Sequence, residues 1–401
     1  MALANTTISY GSVTKTFHWL TALGILLALP LGYFANDLAH TVQNPEIATT
    51  ETQVARAALL FSLHKTIGLT VFFVALARIL WAVTQPKPGL LNGDTVLESR
   101  LAEVVHWLLY GSLVAVPLSG WIHHASTTGF APIWWPFGQS LPFVPKDEGV
   151  AQITGTLHYL LQWVLVGALV LHIAGALKHH VIDRDATLRR MLPGLTPAQP
   201  TAKQPGHALP LLGALAVWAI VLGGANTLGW FKLDAAQTPA ESLAAVESDW
   251  TVQDGTLEIT VVQMGSEVTG RFADWTAEIS YDAASANPKG DVTVTVAIPS
   301  LTLGSVTDQA MGAEYFNAEA HPTATFTAEI VDTEGHIAQG TLTIKDHSMP
   351  VEMPFDLAID GNTAEASGGL SVDRRAFGIG GEATDSLGAS VDIRFDLTAT
   401  R

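Results

Sequence analysis

His18, His64, His158 and His172 carry the strongest chemical signal in this chain: each sits near the end of an apolar segment long enough to cross a membrane. His158 and His172 lie 14 residues apart on one expected helix. At about 100° per residue that spacing falls about 40° short of four turns, so both rings share a face, about 21 Å apart along the axis. Two imidazoles on one face, one toward each side of a bilayer, can each give one axial ligand to a stacked pair of haems. Ionisable side chains inside a membrane are costly and mark functional sites. The spacing therefore points to electron transfer across or along a membrane.

The elements that must position these rings are five apolar stretches, at 18–35, 64–84, 104–122, 155–177 and 208–229. Each has close to the roughly 20 residues that span a bilayer. The first is too long for the apolar part of a signal peptide and lacks a small-residue cleavage site. With a cytoplasmic N-terminus, nine cations (Lys15, Arg78, Lys87, Arg100, Lys178, Arg184, Arg189, Arg190 and Lys203) fall inside or at the inner boundary. Only Arg56, Lys65 and Lys146 fall outside, which favours this orientation. Trp134, Trp135 and Trp230 then mark outer boundaries. His64 pairs with His158 at the outer side and His18 with His172 at the inner side, in a four-helix bundle. His106 is a fifth candidate, as an alternative inner ligand or as a contact to haem or quinone. His123–His124 and His179–His180 read as solvated helix-end residues, and His40 and His207 carry no spacing signal. Lys65, beside His64, suits an anionic donor or a haem propionate, and otherwise reads as an ordinary interfacial lysine.

Charge separates the chain into two parts. Residues 1–232 hold 13 Lys and Arg against 10 Asp and Glu, and residues 233–401 hold 7 against 27. The acidic second part argues against nucleic acid as a partner. With no cysteine, thiolate clusters and thioether-linked haem are excluded, so any haem is held without thioethers, as b-type haem is. Polar linkers are expected at 195–207 and 234–248. From Trp250 the apolar period becomes two, as in Leu257/Ile259/Val261 and Met353/Phe355/Leu357/Ile359, which predicts an antiparallel sandwich or barrel.

Particular segments carry resemblances. Lys15-Thr-Phe-His-Trp-Leu-Thr-Ala, Leu63-His-Lys-Thr-Ile-Gly-Leu, Ala77-Arg-Ile-Leu-Trp, His106-Trp-Leu-Leu-Tyr, Pro117-Leu-Ser-Gly-Trp and His172-Ile-Ala-Gly-Ala-Leu-Lys-His-His resemble the prokaryotic cytochrome b561 family. The resemblance implies two b haems held by His18, His64, His158 and His172 over residues 8–193, exchanging electrons with the quinone pool. Gly270-Arg-Phe, Tyr315-Phe-Asn-Ala-Glu-Ala-His-Pro, Gly340-Thr-Leu-Thr-Ile-Lys-Asp-His-Ser-Met-Pro-Val and Val372-Asp-Arg-Arg-Ala-Phe-Gly-Ile-Gly resemble the YceI-like, polyisoprenoid-binding family. This second resemblance implies an eight-stranded lipocalin-like barrel over 249–401, with Arg374 and His347 as candidate polar contacts at its mouth.

The expected protein is thus multidomain: an all-α membrane bundle, linkers and a fifth transmembrane helix over 194–248 that tethers the rest, and an all-β barrel. Its expected place is the bacterial inner membrane, with the barrel in the periplasm. The expected function is electron transfer between a periplasmic-side donor and quinone, with an isoprenoid or quinone in the barrel. The alternatives are a superoxide:quinone oxidoreductase and a tethered isoprenoid-binding protein.

Overall fold

A computed structural model describes the chain apart from residues 1, 44–49, 128–130, 195, 197, 203, 205, 234–241, 264–265, 286–287, 333–334, 383 and 385–386. Most of the expected 234–248 linker and four positions of the 195–207 linker, Lys203 among them, lie outside the described residues. Two compact units result: Met1–Tyr33, Phe61–Ser126 and Ile133–Leu233 form one, and Phe34–Leu60, Thr127–Pro132 and Asp234–Arg401 the other.

Among the described residues, five helices are long and apolar enough to cross a membrane. They are α1 (Ser12–Gln43), α2 (Glu51–Val83), α3 (Val96–Ser126), α4 (Glu148–Val181) and α5 (Ala208–Thr227). In lipid every backbone N–H and C=O must find its partner within the protein, which makes the helix the stable form of these Leu- and Ala-rich runs. The first four have 31 to 34 residues. At about 1.5 Å per residue they exceed the roughly 30 Å hydrocarbon layer, so their ends extend beyond the apolar cores. Asp147 sets the start of α4 by accepting the Val150 N–H at 2.8 Å.

Small residues let the helices approach closely, the usual device where lipid removes any hydrophobic drive between helices. Gly24 of α1 lies against Val71 of α2, and Gly111 of α3 against the Trp218 indole of α5. Gly213 of α5 faces Val104 of α3 in turn. α5 therefore packs on the bundle, with Leu108, Ala168 and Ala214 buried between it, α3 and α4. The segment after α4 is tied back to the start of the chain. Lys15 Nζ donates to the carbonyls of Leu192 and Gly194 at 2.8 and 2.7 Å, and Arg190 donates to those of Gly89 and Ile8.

The second unit holds a curled antiparallel half-barrel. Its strands are β1 (Thr251–Gln263), β2 (Ser266–Phe272), β3 (Trp275–Tyr281), β4 (Gly290–Ala297), β5 (Leu301–Thr302), β6 (Thr323–Asp332), β7 (His336–Ile344), β8 (His347–Asp360), β9 (Thr363–Asp373) and β10 (Leu387–Thr400). The order is β3-β4-β6-β7-β8-β9-β10-β1-β2-β5. Ten strands, one of only two residues, stand where the family resemblance implied eight. The alternation read from the sequence holds throughout: Leu257, Ile259 and Val261 of β1, and Met353, Phe355, Leu357 and Ile359 of β8, all face the interior. A short helix, α6 (Thr307–Met311), and the turn at Arg374–Phe377 pack into the same core.

Arg374, expected as a polar contact at the mouth, is a buried residue of the cavity lining. It is 1% exposed, and its guanidinium donates to the carbonyls of Ile379, Gly380, Gly381, Leu387 and Gly388. Those bonds clamp the loop after the turn onto β10. His347 is exposed and faces the turn at Gly378.

Candidate haem and apolar-ligand sites

His64 of α2 and His158 of α4 meet with ring centroids 6.2 Å apart and planes at 88°. Each is held from behind in the same way. His64 Nδ1 lies 2.9 Å from the Ala28 carbonyl, and His158 Nδ1 lies 2.8 Å from that of Val116. A carbonyl only accepts, so Nδ1 carries the hydrogen and Nε2 keeps its lone pair, as metal-ligating histidines require. A glycine one turn beyond each carbonyl makes room for the ring. A Cβ on Gly32 would sit 2.7 Å from His64 Cε1, and one on Gly120 2.9 Å from His158 Cε1.

His18 of α1 and His172 of α4 form a second pair, with centroids 6.1 Å apart. His106 of α3 joins them, edge-on to His172 at 5.1 Å, with Nδ1 bonded to its own helix at the Ala102 carbonyl (2.6 Å). Among the described residues no carbonyl fixes His18: its Nδ1 faces an Arg78 Nη2 at 3.5 Å, and the Arg78 guanidinium lies over the Tyr110 ring. A metal–imidazole bond is about 2 Å long, so two Nε2 atoms facing one ion hold their rings about 6 Å apart. Both pairs meet that separation, and the donors are all-nitrogen, which suits haem iron.

Several residues differ from their sequence reading. Lys65, next to His64, is buried with its ammonium over the Phe61 ring, instead of lying at an open interface. His179 is buried, not solvated: Nδ1 lies 2.7 Å from Asp185 and Nε2 3.3 Å from Glu98. Glu98, His179 and Asp183 have metal-ligand proximity, but the Lys178 ammonium already bridges Glu98 and Asp183 at 2.7 and 2.9 Å. His123 is half-buried and bonded to the Ala151 carbonyl at 2.7 Å. Spacing also missed Glu103, buried on α3 with Lys87 and His207 as partners. His207, read as carrying no signal, belongs to that cluster.

The half-barrel encloses a cavity of about 260 Å³ with an almost wholly apolar lining. That is larger than the roughly 150 Å³ void that takes a benzene-sized guest in an engineered core. Tyr281 adds a polar group to the lining, its hydroxyl 3.3 Å from His336 Nε2. Burial, with Asp332 and Asp282 nearby, raises the Tyr281 phenol above its ordinary value, so it stays neutral and able to donate.

Comparison with known proteins matches two separate parts of the chain. Residues 9–194 match the family described as prokaryotic cytochrome b561, and residues 233–399 match the YceI-like domain. The first region is similar to cytochrome b561 homolog 2 of Escherichia coli (strain K12), with 33% identity over 48% of this chain and 95% of that protein. It is also similar to the probable superoxide oxidase CybB of Yersinia pestis, with 29% identity over 33% of this chain and 73% of that protein. The second region is similar to Burkholderia cenocepacia BcnA, with 30% identity over 36% of this chain and 96% of that one, at a TM-score of 0.35.

Proposed function

Since the chain belongs to the prokaryotic cytochrome b561 family and carries a YceI-like domain, we propose that it is a membrane electron carrier with two b haems, exchanging electrons with quinone, whose barrel holds an isoprenoid tail. The observation that carries this reading is the His64–His158 pair, two rings with centroids 6.2 Å apart and both tautomers fixed by backbone. His64 and His158 hold one haem, and His18 and His172 the other, with His106 beside the second. Bound haem supplies one-electron redox chemistry. The protein's own part is to fix the ring tautomers and to exclude water with the surrounding apolar side chains. Lys65 and Arg78 give each pair one cation for a propionate. In the membrane the N-terminus is cytoplasmic and the barrel periplasmic, in line with the loop cations.

The test is a dithionite-reduced minus oxidised spectrum of the detergent-purified chain, with a haem count. Two low-spin b haems per chain are expected. His64→Ala or His158→Ala leaves one, as does His18→Ala or His172→Ala, while His106→Ala keeps both. No haem after expression with haem supplied would reduce the protein to a tethered lipid-binding barrel.

A second reading, a superoxide:quinone oxidoreductase, has support from the likeness to a probable superoxide oxidase and from the Lys65 ammonium beside His64. There, two superoxide anions would give one electron each, leaving two molecules of dioxygen, and quinone with two protons would leave as hydroquinone. Fast haem reduction by superoxide selects this reading, and its loss in Lys65→Gln ties it to that cation.

A further inference from the structure

Three histidines of the bundle, not two, are seated by the same device. His64 reaches the Ala28 carbonyl past Gly32, His158 reaches Val116 past Gly120, and His123 reaches Ala151 past Gly155. In each case the glycine follows the acceptor carbonyl by four residues and replaces a Cβ that would press on the ring. For His123 that Cβ would lie 3.1 Å from Nδ1. The α3–α4 contact is reciprocal: α3 seats a ring of α4 at Gly120, and α4 seats a ring of α3 at Gly155. The steps from Gly120 to His123 and from Gly155 to His158 are both three residues, so the two seats lie about one helical turn, or roughly 5 Å, apart.

Only His64 and His158 are needed for the pair they form. His123 has the same fixed tautomer, with Nδ1–H on the carbonyl and the Nε2 lone pair without a bonded partner among the described residues. Its ring leans on His124 at 4.8 Å. A metal ion held by side chains alone needs three or four ligands, and this seat supplies one or two. A lone, oriented acceptor within an apolar bundle suits an uncharged lipid-soluble molecule with a hydroxyl to donate.

We propose that His123 Nε2 binds the hydroxyl of a hydroquinone head, one turn from the His64–His158 pair. The inference rests on the electron-carrier reading and gives that carrier a ligand site on α3.

The test uses the full chain loaded with haem, with decylubiquinol as probe. His123→Ala removes the acceptor, His123→Gln leaves a partial one, and Gly155→Ala displaces the ring without removing it. All three are expected to keep two haems by dithionite reduction. Loss of one hydrogen bond should weaken decylubiquinol binding about tenfold in His123→Ala, and less in His123→Gln and Gly155→Ala. The probe-induced shift in the haem spectrum should shrink with it. Unchanged affinity and an unchanged shift would overturn the site while leaving the carrier intact. Loss of a haem in His123→Ala would make it a ligand, not a substrate contact. A wild-type chain without haem would overturn the carrier reading and this site together.

Discussion

At the scale of single residues, the glycines beside the histidine rings are the sharpest handle. A methyl on Gly120 would sit 2.9 Å from two atoms of the His158 ring, and the ring cannot yield without leaving the Val116 carbonyl. Gly120→Ala should therefore cost the protein the haem of the His64–His158 pair, read as a fall toward one haem per chain. Gly223→Ala is the control, since nothing lies within 4 Å of its Cβ position and its helix, α5, carries no histidine, and it should keep both haems. The four histidines were legible because helical period and membrane depth are one-dimensional properties. His123 was not, because its seat exists only once α3 and α4 touch. A histidine at a helix end looks solvated until the carbonyl of another helix is placed beside it. The same reason hid Glu103 and His207, which meet over a sequence separation of 104 residues.

Among the elements, α5 and the Arg374 turn were the least legible. α5 is apolar all round, so no polar face marks the side it buries, and its contacts with α3, Gly111 against Trp218 among them, do so instead. Gly111→Val would drive a branched side chain into the indole. Overpacking of this kind costs about 1–3 kcal/mol, so the thermal midpoint of the detergent-solubilised chain should fall while the haem count stays at two. The strands differ in legibility for a compositional reason. β8 shows large apolar residues at every second place, whereas β9 turns Ala364, Ala366 and Gly368 inward, and small residues carry almost no periodic signal. At the end of β9, Asp373 caps the Arg374 turn, accepting the Arg375 N–H at 3.0 Å and its guanidinium at 2.6 Å. The side-chain and backbone bonds from Arg375 hold the carboxyl at about 2. A depressed carboxylate stabilises the fold above its unfolded value of about 3.9 and loses that effect as pH falls through the folded one. Asp373→Asn should therefore lower the thermal midpoint of the β-sheet signal at pH 6. That deficit should shrink as pH is taken from about 4 toward 2.

For the whole molecule, the division into bundle and half-barrel was visible as the charge split and the change of period, whereas the cavity was not. Alternation says which side chains point inward, but whether they meet and fill the interior depends on how tightly the sheet curls. Here about 260 Å³ stays open, so a filled cavity is an informative variant. Ala338 of β7 is 3% exposed and points into it, and Ala338→Trp would occupy much of the space. If the barrel exists to hold an isoprenoid tail, this variant should weaken binding of a long-chain quinone while keeping two dithionite-reducible haems. A tail-binding barrel also predicts a dependence on tail length. Wild-type chain should bind a long-tailed quinol more tightly than a short-tailed one, and Ala338→Trp should abolish the difference without weakening the short-tailed probe. Equal affinities for both probes in the wild type would mean that bundle and barrel do not share a ligand. The barrel's apolar guest would then be a lipid unrelated to the electron carrier.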